Sequence, residues 1–214
     1  MTQYKEIGQT DTNKPQKNIN SKTATGQMLQ YLNFPDDITL IYGPPASGKS
    51  TLCFQIAANN PGKILFIDTE NSFNIERLQQ INPLTDLNNL IVIRAKRYSE
   101  QFTAVKNLSK MKNVSLVIID SFTKFHRKKA QEKVNIRPAT IKMLLMLKEM
   151  KIPIILTSQV YTDFNNKTHP VAKDLFKRLA KYTIKLDGKE KRLLTIEQTD
   201  LRIPYIITEK GLTV

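Results

Sequence analysis

The sequence has a single cysteine, no hydrophobic run long enough for a membrane helix, and no apolar segment near its start. Cys53 has no partner for an internal disulfide, which is typical of a protein in a reducing cytoplasm. A membrane-spanning helix needs about 20 consecutive apolar residues, and no run approaches that length. Residues 1–20 are polar and lack the apolar core of an export signal. These absences predict a cytoplasmic protein that does not enter membranes.

Acidic residues are also in short supply. The chain carries 19 Asp and Glu against 33 Lys and Arg, a formal net charge of +14. Such an excess favours a polyanionic partner, most simply nucleic acid. A solubilising basic surface would give the same composition, so charge alone leaves both interpretations open.

The 214 residues are enough for one substantial α/β domain. Residues 1–20 are predicted to form a flexible polar tail, and residues 21–214 a single domain. Apolar runs alternate with helical patterns, which predicts a mostly parallel sheet flanked by helices. Short strands near the C-terminus, with a hairpin signal at Asp187-Gly188, predict an antiparallel extension. The strands are predicted at 38–42, 64–67, 90–93, 116–120, 153–157, 182–186, 193–197 and 205–208, and the helices at about 25–32, 49–59, 74–81, 99–111, 138–150 and 171–180.

A complete G-x-x-x-x-G-K-[ST] motif lies between the first strand and the helix that follows it. Its glycines let the backbone approach phosphate oxygens, and its N–H groups form an anion-binding nest at a helix N-terminus. Lys49 is predicted to reach the β- and γ-phosphates, and the Ser50 hydroxyl to ligate Mg²⁺. The motif therefore predicts that ATP and Mg²⁺ are cofactors. The predicted phosphate-binding residues are Gly43, Pro44, Pro45, Ala46, Ser47, Gly48, Lys49, Ser50 and Thr51.

Three further positions follow apolar strands, where ligands gather in open α/β sheets. Asp120 closes the fourth strand and is predicted to hold Mg²⁺ through water. Glu70 and Asp68 both follow the second strand, and either is able to orient the attacking water. Spacing alone does not separate these two acids. Gln159, beyond the fifth strand, carries an amide able to contact a γ-phosphate.

Taken together, residues 43–51, 66–70 with 76–78, 116–121 and 157–160 resemble the motifs of the RecA/RadA recombinase superfamily. Within it, the chain looks most similar to the archaeal RadB family, the short paralogs that lack an N-terminal helical DNA-binding domain. The resemblance runs from about residue 21 to residue 212 and implies a RecA-like P-loop NTPase core. It also implies an ATPase that acts with DNA in recombination and repair.

The resemblance assigns roles to particular residues. Glu70 takes the position of the catalytic glutamate, Asp120 that of the Walker B aspartate, and Gln159 that of the glutamine that relays nucleotide state to the DNA-binding loops. The predicted catalytic residues are Glu70, Lys49 and Gln159. Residues 121–137 take the place of the first DNA-binding loop and residues 161–170 that of the second. A main RadA-type recombinase and further copies of the chain are the implied protein partners.

The first of these loops is basic, and its cations are predicted to contact DNA, single-stranded and also double-stranded. Phe122, Phe125 and His126 are interleaved with the cations and are predicted to offer base-stacking faces. Lys189, Lys191 and Arg192 are interpreted as solvated turn residues. The predicted DNA-binding residues are Lys124, Arg127, Lys128, Lys129, Lys133 and Arg137.

Some family features are missing from the sequence. Residues 165–172 lack the glycines expected in a strand-exchange loop, and residues 198–204 lack a clear acidic-proline element that would cap a neighbour's ATP. The tail shows no clear Phe-x-x-Ala hook. Two hypotheses therefore stand: a slow, DNA-dependent ATPase, or a recombination mediator that binds ATP, DNA and the main recombinase but barely hydrolyses. A small-molecule P-loop kinase is a third hypothesis, which leaves residues 157–160 unexplained.

Overall fold

The structure is a computed structural model that describes residues 28–188 and 192–214. The predicted tail over 1–20 and the beginning of the helix predicted at 25–32 lie outside the described residues. In the described part, residues 28–29 are helical and a turn follows at 30–31, so the helix ends earlier than predicted, although Met28, Leu29 and Leu32 are all buried.

An eight-stranded sheet forms the centre of the fold, in the order β10-β9-β8-β1-β5-β4-β2-β3. Strands from β8 to β3 are parallel, whereas β9 and β10 are antiparallel. The predicted fold class, a RecA-like, mostly parallel sheet with antiparallel C-terminal strands, is confirmed. The strands are β1 (Ile38–Tyr42), β2 (Lys63–Asp68), β3 (Leu90–Arg94), β4 (Val114–Asp120), β5 (Ile154–Ser158), β6 (Val160–Thr162), β7 (Thr168–Pro170), β8 (Tyr182–Asp187), β9 (Leu193–Ile196), β10 (Leu201–Pro204), β11 (Ile206–Thr208) and β12 (Gly211–Thr213).

Helices cover both faces of the sheet, because the central strands are apolar on both sides. Leu116 and Ile118 of β4 face one core, and Val117 and Ile119 face the other. None of the described helices has the length and apolar character needed to cross a membrane. The helices are α1 (Lys49–Ala58), α2 (Ile75–Ile81), α3 (Tyr98–Asn107), α4 (Lys124–Gln131), α5 (Arg137–Glu149) and α6 (Lys173–Leu179), with 3₁₀ turns at Leu87–Asn89 and Leu108–Lys110.

Two segments predicted as loops are ordered elements. The basic stretch after β4 contains helix α4, and the segment after β5 is a hairpin formed by β6 and β7. Phe122, Phe125 and His126 have i, i+3, i+4 spacing, which is typical of the buried side of a helix and was the available signal. Strands β10 and β12 are also present, although the sequence analysis does not predict them.

Parallel pairing brings the ends of the central strands to one edge of the sheet. Asp68 of β2 is in register with Asp120 of β4, and Tyr42 of β1 with Ser158 of β5. The segments that follow β1, β2, β4 and β5 therefore lie side by side, which is the edge where open α/β sheets bind ligands.

The C-terminal hairpin, β11 and β12, is fastened to the helices behind this edge. Gln55 on α1 exchanges two hydrogen bonds with the backbone of Leu212, at 2.9 and 3.1 Å. Arg77 on α2 donates to the carbonyls of Thr208 and Glu209 at 2.7 and 2.8 Å. These contacts hold the last strands against the helix that begins at the phosphate motif.

Candidate functional site

The phosphate motif forms a tight loop between β1 and α1. Gly48, the last residue before α1, has φ 92°, in the left-handed region that favours glycine. A Cβ atom on Gly43 would lie 2.2 Å from the carbonyl oxygen of Leu186, so β8 passes too close for any other residue. Ala46 also has a positive φ, 61°. The loop thus has the alternating backbone that turns successive N–H groups toward one point.

Lys49 extends across the mouth of this loop. Its ammonium donates to the carbonyl oxygens of Gly43 and Pro44 at 2.9 and 2.8 Å. Burial lowers the pKa of Lys49, while the negative charges of Asp120 and Glu70 act in the opposite direction. The loop and the two acids therefore hold a cation where the motif predicts phosphate contacts.

Asp120 at the end of β4 is only 1% exposed. Burial raises its pKa, while hydrogen bonds with Ser50 and Thr157 favour the charged form. The Thr157 hydroxyl donates to Oδ1 at 2.5 Å, whereas the buried Oδ2 has no hydrogen-bond partner among the described residues. A carboxylate oxygen left free beside a hydroxyl fits Mg²⁺ held through water, because hard oxygen ligands are what this ion prefers. The donor set therefore suits the predicted metal.

The two acids that follow β2 have different environments. Asp68 is buried, and its carboxylate accepts hydrogen bonds from the backbone of Ser72 at 3.2 Å and of Phe73 at 3.0 Å. Glu70 is partly exposed, and its Oε1 accepts from the Gln159 amide at 3.2 Å. Asp68 is thus occupied in shaping a loop, and the geometry favours Glu70 as the acid available to a water molecule.

Lys124 is turned toward Glu70 rather than away from the protein. Its ammonium lies 3.6 Å from Glu70 Oε2 and donates to the carbonyl of Thr69. The first turn of α4 points this side chain back to the end of β2, so the structure does not support a DNA contact of Lys124, which stays a prediction. Glu70 is thereby held between α4 and Gln159.

The remaining predicted DNA contacts lie on α4 or between α4 and α5. Lys128, Lys133 and Arg137 are exposed, and Lys129 pairs with the exposed Glu132 at 2.6 Å. The side chain of Arg127 lies outside the described part of the chain. The described cations thus form a solvated basic face, to which no counter-ion other than Glu132 is paired among the described residues.

The aromatic residues of this stretch do not lie on that face. Phe122 is 0% and Phe125 8% exposed, and Phe122 packs against Phe176 with 5.9 Å between ring centroids. Burial lowers the pKa of His126 to about 4, so its ring is neutral at physiological pH. Phe122 and Phe125 are thus too buried for the predicted base stacking and anchor the start of α4 to the core, whereas His126 is half-buried and lines a groove beside α5.

An exposed aromatic residue that sequence reasoning missed lies at the tip of the β6–β7 hairpin. Phe164 is fully exposed, and Tyr161 beside it is 44% exposed. The Asp163 carboxylate accepts from the backbone of Asn165 and Lys167, each at 2.9 Å, and contacts His169 at 2.8 Å. These bonds close the tip and leave Phe164 outside it. The available signal in the sequence was a single aromatic residue, Phe164, within the otherwise polar segment 163–168.

A groove of about 540 Å³ separates this hairpin from the α4–α5 connection. Arg137, Tyr161 and Lys173 of α6 all line it. The groove therefore brings Arg137 of the basic face and Tyr161 of the hairpin to one concave surface.

Two residues from the antiparallel extension contact the phosphate loop. Arg192, interpreted from sequence as a solvated turn residue, donates from Nη1 to the Ala46 carbonyl at 2.8 Å. Tyr205, which belongs to no sequence motif, donates to the Ser47 carbonyl at 2.6 Å. The interpretation of Arg192 is thus wrong, and only the tertiary fold reveals it.

A parallel sheet with a phosphate loop after β1, an acid at the end of β4 two strands away, and a second acid after β2 defines a P-loop nucleotide-binding protein with the RecA-like core. The family model described as Rad51 matches residues 27–203, more than half of the chain. The chain belongs to the Rad51 family.

Known relatives agree with this assignment. The DNA repair and recombination protein RadB of Thermococcus onnurineus is 31% identical over 199 residues, covering 83% of this chain and 88% of the relative. The protein of the same name from Methanococcus maripaludis is 31% identical over 176 residues, covering 75% of this chain and 81% of its own length. The crystal structure of the RadB recombinase superimposes with a TM-score of 0.73 at 28% identity, covering 91% of this chain and 98% of that one. The chain is therefore RadB-like within its family.

Proposed function

We propose that this protein is a slow ATPase that binds DNA in homologous recombination and repair, with hydrolysis dependent on or modulated by DNA. The observation that carries the proposal is the 3.2 Å hydrogen bond between Glu70 and Gln159. It joins the predicted water-orienting acid to the residue between β5 and the exposed hairpin. The names of the RadB relatives support the process.

The described side chains would have separate roles in hydrolysis. The loop amides and Lys49 bind phosphate oxygens, and Ser50 with Asp120 would hold Mg²⁺, the latter through water. Glu70 orients water and accepts its proton at a carboxylate oxygen. Bound Mg²⁺ would neutralise phosphate charge, which is the chief requirement of phosphoryl transfer.

We expect turnover to be slow. Among the described residues, no arginine contacts Glu70 or Lys49, so the site has no arginine finger of its own in the described geometry. A second copy of the chain, or a RadA-type recombinase, would be the source of the missing cation. These two are the protein partners that we propose.

We propose that DNA binds along the basic face and the groove beside it. Lys128, Lys133 and Arg137 supply sequence-independent contacts to phosphates, and the exposed ring of Phe164 supplies a face on which a base stacks. Single-stranded DNA suits this combination best, because its bases are free to stack. Double-stranded DNA would use the cations alone.

A recombination mediator that binds ATP and DNA but barely hydrolyses is the second candidate. The contact between Lys124 and Glu70 favours it, since an ammonium 3.6 Å from the carboxylate competes with water for that group. The missing sequence features of the second loop and of the ATP cap point in the same direction. Both candidates use the same residues and differ in turnover.

The deciding experiment measures ATP hydrolysis by the purified protein with and without single-stranded DNA. The controls are Lys49→Ala, which removes the phosphate-binding ammonium, and Glu70→Gln, which keeps the shape of the side chain but not its basicity. Stimulation by DNA that both variants abolish supports the ATPase. ATP binding without turnover in either condition selects the mediator. Hydrolysis by Glu70→Gln at the wild-type rate would remove Glu70 from its proposed role.

A further inference from the structure

The outer side of the phosphate loop is held by the antiparallel extension. Arg192 precedes β9 and donates to the carbonyl of Ala46 at 2.8 Å, and Tyr205 follows β10 and donates to the carbonyl of Ser47 at 2.6 Å. The two accepting carbonyls belong to consecutive peptide units. The two donors are themselves joined, since the backbone N–H of Tyr205 donates to the Arg192 carbonyl at 3.1 Å.

The loop needs such support because of its backbone. Ala46 has φ 61° and Gly48 φ 92°, so two left-handed residues flank Ser47. This conformation is unfavourable for alanine, and it persists where the surroundings hold it. Tyr205 is only 4% exposed, so water hardly competes for its bond to Ser47.

These hydrogen bonds also act on the inner side of the loop. A hydrogen bond accepted by a peptide carbonyl polarises that peptide and strengthens its N–H as a donor. The peptide of the Ala46 carbonyl carries the N–H of Ser47, and the peptide of the Ser47 carbonyl carries the N–H of Gly48. The first of the two bonds is charge-assisted, because a guanidinium donates it. The guanidinium adds a positive charge close to the place where phosphates would bind.

We propose that Arg192 and Tyr205 are positioning residues for the β-phosphate of a nucleoside di- or triphosphate. By donating to the carbonyls of Ala46 and Ser47, they fix the orientation of the loop's N–H groups. The C-terminal antiparallel strands thereby influence nucleotide affinity. The inference rests on the proposed nucleotide binding but not on hydrolysis. Neither side chain needs to touch the nucleotide.

The test is titration of ADP and of ATP with Mg²⁺ into the full chain and its variants. Arg192→Ala is expected to raise both dissociation constants about five- to tenfold, and Tyr205→Phe about fivefold. Arg192→Lys keeps a charge and a donor, so it should raise them less than about threefold. Because the two donors share one network, the fold increase in the dissociation constant of the double variant should be smaller than the product of the two single-variant increases.

The matched control is Arg202→Ala. Arg202 lies on β10 of the same extension, but its side chain is exposed and, among the described residues, pairs only with Asp200, at 3.0 Å. Without nucleotide, Arg192→Ala and Arg202→Ala should unfold at the same temperature, which excludes a general loss of structure. If the unmodified protein binds ADP and these two variants bind it with equal affinity, the positioning role of Arg192 is overturned. The proposed nucleotide binding would then still stand. If the unmodified protein does not bind ADP at all, the proposed nucleotide binding is overturned and this inference with it.

Discussion

The nucleotide pocket and the basic face hold their charged groups in opposite ways. In the pocket, Lys49, Asp120 and Glu70 each have partners within hydrogen-bonding distance, and Asp120 is almost fully buried. On the basic face, Lys128, Lys133 and Arg137 are exposed. Fixed, desolvated charges suit a ligand of one shape, whereas solvated cations suit a long polyanion of any sequence. The two regions should therefore respond differently to substitution, pH and salt.

The largest effect is expected in the pocket, from Asp120→Asn. The neutral side chain should weaken Mg²⁺-dependent ADP binding about 10- to 100-fold, because it removes the charge that holds the ion's water. DNA binding without nucleotide should not change. Titration of ADP at several Mg²⁺ concentrations measures the loss, and an equal affinity in the variant would exclude Asp120 from the metal site.

The same variant is expected to be more stable without Mg²⁺. Burial raises the pKa of Asp120, so the folded state binds its proton more tightly than the unfolded state does. The ionised carboxylate therefore destabilises the fold at pH 7, and this penalty disappears as the pH falls below the ordinary value for aspartate. Asp120→Asn should raise the unfolding temperature at pH 7 by about 2–4 °C, with the gain fading near pH 4.

Thr157→Val is the control for this pH effect. It removes the donor 2.5 Å from Asp120 Oδ1 while keeping the shape of the side chain. It should lower the unfolding temperature at pH 7, since the buried carboxylate then has fewer partners. If Asp120→Asn also lowered the unfolding temperature, the ionised carboxylate would stabilise the fold, contrary to this prediction.

On the DNA side, Phe164→Ala should have the next largest effect. Loss of a stacking ring is expected to weaken single-stranded DNA binding about tenfold and to leave nucleotide affinity unchanged. Leu84→Ala is the matched control, because Leu84 is 91% exposed but lies near the opposite edge of the sheet. Fluorescence anisotropy with a labelled oligonucleotide measures both. Equal losses in both variants would argue against stacking at the hairpin tip.

Lys128→Ala combined with Lys129→Ala tests the basic face. The slope of log affinity against log salt should become shallower by about 1 to 2 units, with a similar loss on every DNA sequence. Lys110→Ala with Lys112→Ala removes the same charge from the segment before β4, at the far edge of the sheet, and should leave the slope unchanged. If the control pair changes the slope instead, the DNA footprint lies elsewhere.

The smallest effect on DNA affinity is expected from Lys124→Ala. Lys124 faces Glu70 rather than the basic face, so the salt slope should match that of the unmodified protein. Its effect on stability should also be small, because partly exposed ion pairs contribute about 1 kcal/mol or less. A slope that falls by one unit would return Lys124 to the DNA-binding set and would weaken the distinction between the two regions.

The sequence predicts a region well when the residues that form it are close together along the chain. Residues 43–51 and Asp120 are identified by contiguous patterns, because a phosphate loop is built from neighbours along the chain. The central strands are predictable for the same reason, since a strand buried on both faces is a continuous apolar run. Family resemblance prefers Glu70 to Asp68, and the backbone contacts of Asp68 support that choice. The catalytic and metal roles themselves stay predictions.

The contacts of Lys124 and Arg192 depend on distant partners, whereas the burial of Phe122 and Phe125 had a local signal in their helical spacing. Sequence alone groups Lys124 with its basic neighbours, yet its ammonium lies against residues more than 50 positions earlier in the chain. Phe122 and Phe125 lie among lysines, which suggests exposure, whereas helical spacing turns them into the core. Arg192 contacts Ala46 across 146 positions, which no local pattern records.

The buried thiol of Cys53 can serve as a labelling probe of opening around the phosphate loop. It lies on α1, directly behind the phosphate loop, with no exposed surface, and burial raises its pKa well above that of a free thiol. A thiol reagent can therefore react with the only sulfhydryl in the chain when the surrounding structure opens. A ligand that binds only the closed loop would slow this reaction by a factor of one plus the ratio of its free concentration to its dissociation constant, about 100-fold at a hundred times that constant. The unmodified protein thus reports its own nucleotide occupancy as a labelling rate.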